Sequence, residues 1–463
     1  MNIDKLNIVY FIGIGGIGMS ALARYFKGLG AKVHGYDKTE TTLTKKLVEE
    51  GMQIHYDEDV SKIPNSVDLV VWTPAVPKEH AELQYFLKNN IPVKKRSEVL
   101  GIISQNRRCI ALAGTHGKTT TSSLTAHLLR VGGVDASAFL GGIAQNFQSN
   151  FVNGQSDWVV AEADEYDRSF LRLHPEIAVI SSMDPDHLDI YGDADSVHDT
   201  GYLAFAKQVT GTLYVQHNWM QYFDKTKVRS YGVEGGDYRA ENLRVEDGYF
   251  VFDYKNTTQT IDNLQFPMPG RHNVENATAA ISIALQVGVT PEAIRAGLLS
   301  FQGIKRRFEL IIRTEKTVYI DDYGHHPTEL KAAIGAAKQL FPNRKVTGIF
   351  QPHLYTRTRD FVDGFAEALD GLDEILLMDI YPARELPIPG VSSEIIFNKM
   401  KNPNKKLITK ANLLNELEKY DIEVLMTIGA GDIDTFVEPI KKMLDNRFQM
   451  PDARQNLTNV ENR

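Results

Sequence analysis

The segment IALAGTHGKTTTSSL, residues 110–124, holds the residue types and spacing most specific for chemistry. An apolar run ends at Gly114, a short loop follows, and Gly117, Lys118 and Thr119 open a helix. Backbone N–H groups of Gly114, Thr115, His116 and Gly117 can approach phosphate oxygens in such a loop, and the helix N-terminus adds partial positive charge. In this pattern Lys118 reaches the β/γ-phosphates, the Thr119 hydroxyl ligates magnesium, and Thr120 serves the first helical turn beside them. The loop is shorter than the common GxxxxGK[ST] form: the first glycine would fall at Leu112, and the glycine sits at 114 instead. Magnesium needs acids, and the next apolar run, DWVVAEADEYD, ends in them, so Glu162 or Asp164 can complete the metal shell beside Thr119. A further run, IAVISSMDPDHLDIYG, ends the same way at Asp184, Asp186, His187 and Asp189, where His187 is a candidate second metal ligand or proton carrier.

A second glycine-rich turn opens the chain. FIGIGGIGMSALARYF gives Gly13, Gly15 and Gly18 in a GxGxxG pattern, with Gly16 between them and Asp37 ending the next apolar run, KVHGYD. The motif states that a pyrophosphate approaches a helix N-terminus with a ribose-reading acid nearby. A dinucleotide and a UDP-sugar both satisfy it.

The elements that must position these loops follow from the apolar periodicity. Short apolar runs alternate with amphipathic segments over the first hundred residues, start again at RRCIALAG, and start a third time at TVYIDDYG. That rhythm predicts an α/β protein of parallel sheets in three domains: a Rossmann-like domain over 1–104, a central P-loop domain over 105–308, and a Rossmann-like domain over 309–463 ending in a frayed tail. Between 212 and 268 the pattern shifts to short alternating segments with turn signals, read as a peripheral β-rich insert. A length of 463 residues agrees with about three domains. Net charge of -8 leaves no electrostatic footprint for nucleic acid. A single cysteine, Cys109, excludes an internal disulfide framework and any multi-cysteine metal site. No apolar stretch is long enough to span a membrane and no leader pattern precedes the first strand, so the expectation is a cytoplasmic protein without membrane insertion.

Taken together, GIGGIGMS (13–20), AGTHGKTTT, EADEYDRSF (162–170), DPDHLDIYG (184–192), GRHNVENATAA (270–280), DDYGHHPTE (321–329), FQPHLYTRTRD (350–360) and GAGDI (429–433) resemble the Mur ligase family, over residues 7 to about 435. The resemblance implies ATP-dependent ligation through an acyl phosphate, with ATP and Mg2+ as cofactors and UDP-N-acetylmuramate and L-alanine as substrates. It implies that Thr119 and Glu162 hold one magnesium and His187 a second, and that Lys118 meets the phosphates. His272, Asn273 and Asn276 would lie around adenine and ribose, and Arg307 and Asp322 would be brought to the nucleotide. Tyr323, His325, His326, Arg357 and Arg359 would receive the amino acid and the activated carboxylate. Gly15, Gly16, Gly18, Asp37 and Thr73 would hold the UDP moiety. Lys118, His187, His325 and Arg357 are the candidates for catalysis. Many relatives read QPHRYTRTRD where this chain has Leu354. The short P-loop reads as the version of that family, in which a closing C-terminal domain would shield the acyl phosphate from water. The expected assembly is a monomer or weak homodimer. Two alternatives remain: a recycling ligase of the same family that attaches a preformed tripeptide to the same UDP-sugar, and an NAD-dependent oxidoreductase, which would leave AGTHGKTTT without a purpose.

Overall fold

In the computed structural model, which describes residues 3–184, 191, 193–383 and 385–449, the chain divides into two compact units, Met1–Ile304 and Lys305–Arg463. The first unit contains two sheets. One consists of β1 (Ile8–Ile12), β2 (Lys32–Tyr36), β3 (Gln53–His55), β4 (Leu69–Trp72) and β5 (Val93–Lys95) in the order β3-β2-β1-β4-β5, all parallel. The order reverses at β1, so a crevice opens between the ends of β1 and β4, where ligands of such sheets bind. Strands such as IVYFI are apolar at nearly every position because helices cover both faces.

The second sheet runs β15-β14-β13-β12-β11-β10-β6-β9-β7-β8, from β6 (Arg108–Ala113), β7 (Ser137–Ala144), β8 (Ser149–Val152), β9 (Trp158–Ala163), β10 (Pro175–Ile180), β11 (Thr212–Gln216), β12 (Arg229–Val233), β13 (Tyr238–Glu246), β14 (Tyr249–Lys255) and β15 (Thr260–Phe266). β6 lies at its centre, parallel to both β9 and β10. The segment 212–268 is peripheral and extends this sheet. β11, β12 and β13 each pair parallel with the strand before, and only β14 and β15 turn antiparallel, so the segment carries the central sheet out to its edge. Buried tyrosines anchor it to the helix Arg271–Val287: Tyr214 Oη lies 2.8 Å from Gln286 Oε1, and Tyr254 Oη lies 3.0 Å from Ser282 Oγ.

The first two sheets form one unit because one apolar cluster runs through both. It includes Phe11 and Phe26 from the first and Phe139 and Phe151 from the second, with the Tyr25 ring 5.4 Å from Phe139. The helix Arg96–Asn106 spans the expected boundary at 104 and leads directly into β6. Lys305–Arg463 contains the third sheet, β16 (Glu309–Arg313), β17 (Val318–Asp322), β18 (Val346–Phe350), β19 (Glu374–Met378), β20 (Lys405–Ile408) and β21 (Val424–Ile428), in the order β16-β17-β21-β18-β19-β20 with only β16 antiparallel. Among the described residues no helix is long and apolar enough to cross a membrane.

Leu112 explains the short P-loop. It lies inside β6, 1% exposed, paired with Val179 on one side and Glu162 on the other, so position 112 belongs to the core and not to the loop. Leu112→Ala is therefore expected to lower unfolding stability by about 2–5 kcal/mol in urea titrations, through lost burial and the cavity left behind.

Candidate functional site

β6 and β9 pair in register through Ala113↔Ala163, so the loop after β6 and the acids ending β9 emerge side by side. The helix Lys118–Val131 begins at Gly117, whose φ of +83° is open to glycine and costly for other residues. A Cβ there would also stand 2.5 Å from the Asn276 amide oxygen. Thr121 Oγ1 donates to the same oxygen at 3.1 Å, and Asn276 Nδ2 donates to Asn273 Oδ1 at 3.3 Å. Asn276 is therefore built into the phosphate cradle's floor, and Asn273 is buried behind it. His272, in the first turn of that helix, is exposed.

Thr119 Oγ1 lies 3.1 Å from Glu162 Oε1, and the other Glu162 oxygen accepts from Gly141 N at 2.8 Å. Burial raises the Glu162 carboxyl above its usual range, opposed by Lys118 and the Thr119 hydroxyl. Two hard oxygen donors, one an acid disfavoured as a bare anion, suit a small divalent cation such as Mg2+. Asp164, the other candidate, instead pairs with Arg96 at 3.3 Å. Lys118 Nζ reaches Gly114 O at 2.7 Å and both oxygens of the buried Glu165 at 2.8 and 2.9 Å. Glu165 lies in the acid cluster, but no spacing rule distinguished it from its neighbours. Thr115 Oγ1 donates to Asp184 O at 2.8 Å, His116 is exposed, and Thr120 is half-buried in the first helical turn. Asp186, His187 and Asp189 lie outside the described residues.

A cavity of about 610 Å³ begins at the crevice of the first sheet and ends at these acids. Gly13, Gly16, Gly18, Asp37 and Thr73 line it together with Gly141, Glu162 and Asp164. Asp37 Oδ2 accepts from Gly15 N at 2.7 Å, which ties the ribose-reading acid to the glycine turn. His80 and Arg96 also line the cavity. In the sequence Arg96 is only the last of three successive cations in VKKR.

In the unit Lys305–Arg463, Arg357 Nη1 lies 3.3 Å from His353 Nδ1, the His353 ring stacks on Tyr381 at 5.8 Å, and the His325 ring stands 6.1 Å from it. His325, His353, Arg357 and Tyr381 form one cluster, of which His353 and Tyr381 went unassigned in the sequence reading. Tyr323 is exposed and borders it through His325, with ring centroids 5.3 Å apart. Arg359 points elsewhere and pairs with Asp360 at 2.7 Å. His326 caps the helix Pro327–Leu340, accepting from Thr328 N at 3.3 Å. Leu354 takes φ of +72° at the turn into the helix Tyr355–Asp360, a strained conformation for a residue with a side chain. Arg306 is half-buried and bound to the buried Asp321 at 3.1 Å, and Arg307 is exposed.

Residues 8–108, 112–284 and 306–433 match, in turn, the Mur ligase family catalytic domain, the Mur ligase middle domain, and the Mur ligase glutamate ligase domain. The chain belongs to the Mur ligase family. It is 49% identical over 457 residues to the UDP-N-acetylmuramate–L-alanine ligase of Flavobacterium johnsoniae, covering 97% of this chain and 100% of that protein. Its fold superposes on the crystal structure of the UDP-N-acetylmuramate–alanine ligase from Thermotoga maritima with a TM-score of 0.81 at 26% identity, covering 96% of this chain and 100% of that one. A murein peptide ligase from Psychrobacter arcticus shares the fold at a TM-score of 0.63 and 22% identity, over 94% of this chain and 98% of that one.

Asp322 accepts from Phe308 N and Gly324 N, each at 2.7 Å, and burial pushes its carboxyl up to about 6. A carboxyl raised on folding stabilises the fold while protonated, so its contribution is full below about 4 and is lost as pH rises through about 6. Urea unfolding of the wild type and Asp322→Asn across that window is expected to show the wild type losing stability relative to the variant as pH rises. Parallel curves would contradict the assignment.

Proposed function

We propose that this chain catalyses the ATP-dependent ligation of L-alanine to the lactyl carboxylate of UDP-N-acetylmuramate, giving UDP-N-acetylmuramoyl-L-alanine, ADP and phosphate. The observation that carries this reading is the cavity that runs from the glycine turn and Asp37 to Glu162 beside the P-loop. A UDP-sugar lying along it has its diphosphate at the helix N-terminus of Ile17–Gly28 and its sugar substituent directed at the nucleotide phosphates. An oxidoreductase reading gives no reason for a dinucleotide pocket to end at a phosphate cradle.

The lactyl carboxylate oxygen attacks the γ-phosphorus of ATP, and ADP leaves. Lys118 and the backbone N–H groups of Gly114 to Gly117 neutralise charge on the transferring group. For Lys118 to do so it must share or exchange its bonds to Glu165. Mg2+, held by Thr119 and Glu162 when bound, supplies further positive charge against the β/γ oxygens. The carboxylate oxygen is now bonded to phosphorus, and an acyl phosphate has a leaving group that the free carboxylate lacks. The amine of L-alanine attacks the carbonyl carbon, a tetrahedral intermediate forms, and phosphate departs. The amine must give up a proton, for which His187 and His325 are the candidates. Arg357, turned toward His353, is assigned to the amino-acid carboxylate. Arg307 and Asp322 are assigned to the nucleotide, as are His272, Asn273 and Asn276. Residues 1–104 then serve the UDP-sugar, 105–308 the ATP and 309–463 the amino acid. We read the enzyme as cytoplasmic, where ATP is supplied, and as a monomer or weak homodimer.

Phosphate release in the presence of ATP, Mg2+ and UDP-N-acetylmuramate is expected with L-alanine and not with the murein tripeptide; turnover with the tripeptide alone would instead identify a recycling ligase. Lys118→Ala should lose about 100- to 1,000-fold in kcat, as expected when one preorganised charge is removed from the transferring group.

A further inference from the structure

Arg96 has no role in the reaction proposed above, and the fold fixes its position closely. β5 pairs parallel with β4 through Trp72↔Lys95, so Arg96 follows at the ligand-binding edge of the first sheet. It is the first residue of the helix Arg96–Asn106, whose start is secured by Glu98 Oε2 accepting from Lys95 N at 2.7 Å. From there the side chain lines the cavity. A Cβ on Gly18 would stand 2.7 Å from Arg96 Nη1 and 2.9 Å from its Cδ, so the third glycine of GIGGIG clears space for this guanidinium. At its far end Arg96 Nη2 meets Asp164 Oδ2 at 3.3 Å, and Asp164 lies two residues beyond Glu162.

The charges along the cavity give this placement a meaning. Among the described lining residues the lysines and arginines are Lys38 and Arg96 only, and Lys38 adjoins Asp37. Glu162 and Asp164 add negative charge to the lining. A substrate carboxylate delivered beside these acids needs a cation, and a guanidinium with five donors in a planar fork is the side chain best suited to hold it. The diphosphate already has the N–H groups that open the helix Ile17–Gly28.

Resting on the substrate proposed above, we infer that Arg96 binds the lactyl carboxylate of the UDP-sugar and aims it at the nucleotide, with Asp164 as the positioning residue that holds the guanidinium in place and Gly18 as the gap through which it passes. The helix N-terminus then anchors the diphosphate, and Arg96 distinguishes a UDP-sugar with a carboxylate arm from one without. Arg96 makes the contact before phosphoryl transfer, so its loss is read in ground-state binding.

Calorimetric titration with UDP-N-acetylmuramate and with UDP-N-acetylglucosamine, which has the same UDP and no lactyl group, separates the two anions. Arg96→Gln is expected to weaken the muramate ligand about tenfold or more, the size of a lost hydrogen-bonded charge contact, while the glucosamine ligand changes less than about twofold. Arg96→Lys should recover part of the loss. Equal weakening of both ligands would assign Arg96 to the diphosphate and overturn the inference, as would unchanged binding of both. Wild-type protein that binds neither sugar nucleotide would instead overturn the substrate reading on which the inference rests.

Discussion

The parallel pairing of β6 with β9 is the constraint on which the site depends. Its register sets Leu112 opposite Glu162 and Ala113 opposite Ala163, so the strand that ends in the phosphate loop and the strand that ends in acids stop at the same level. Thr119 and Glu162 then meet at 3.1 Å once Gly117 has turned the loop into the helix. A slip of one residue would turn Glu162 to the other face of the sheet and separate the pair. The burial of β6 between β9 and β10 protects that register, because every neighbouring strand and both covering layers would have to move with it. Chemical precision at the loop is thus inherited from the stiffest part of the unit.

The same arrangement gathers charges that would not otherwise lie together. Lys118 and Glu165 are both largely buried and paired at 2.8 Å, and Glu162 is raised by desolvation a few residues away. Taking charges out of water is unfavourable, and the attraction between them only partly offsets it. Such a cluster is poor value as a source of stability. It is well suited to receiving a highly charged ligand, since phosphate oxygens and a divalent cation can take up partners already held in place. The cavity extends this field to the first sheet, and the continuous apolar cluster that joins Tyr25 to Phe139 keeps the two sheets from shifting along its length.

Local signals carried most of what the sequence revealed. The loop from Gly114 to Thr119 and the turn from Gly13 to Gly18 are each contiguous, and their chemistry follows from spacing alone. What escaped was long-range. Arg96 and Asp164 are 68 residues apart, and Thr121 and Asn276 are 155 apart, so nothing local announces either contact. The segment 212–268 read as a peripheral β-rich insert, but short alternating strands with turns look alike whether they form their own sheet or extend another; the pairing of β11 with β10 shows that they extend the central one. His326 and Arg359 resemble binding residues by type, but the first is engaged by a helix cap and the second by Asp360. His353 stood inside a recognised motif, and only the fold turns it toward Arg357 and Tyr381.

The central claim is that the cavity delivers a carboxylate to the γ-phosphate of a nucleotide held at the P-loop. Its most direct test is isotopic: UDP-N-acetylmuramate labelled with oxygen-18 in the lactyl carboxylate, turned over with ATP and L-alanine, and the released phosphate analysed by mass spectrometry. Passage through an acyl phosphate transfers one carboxylate oxygen to phosphorus, so each phosphate formed should carry one oxygen from the labelled carboxylate. Product formed with unlabelled phosphate would mean that the carboxylate never bonds to phosphorus, and would contradict the account.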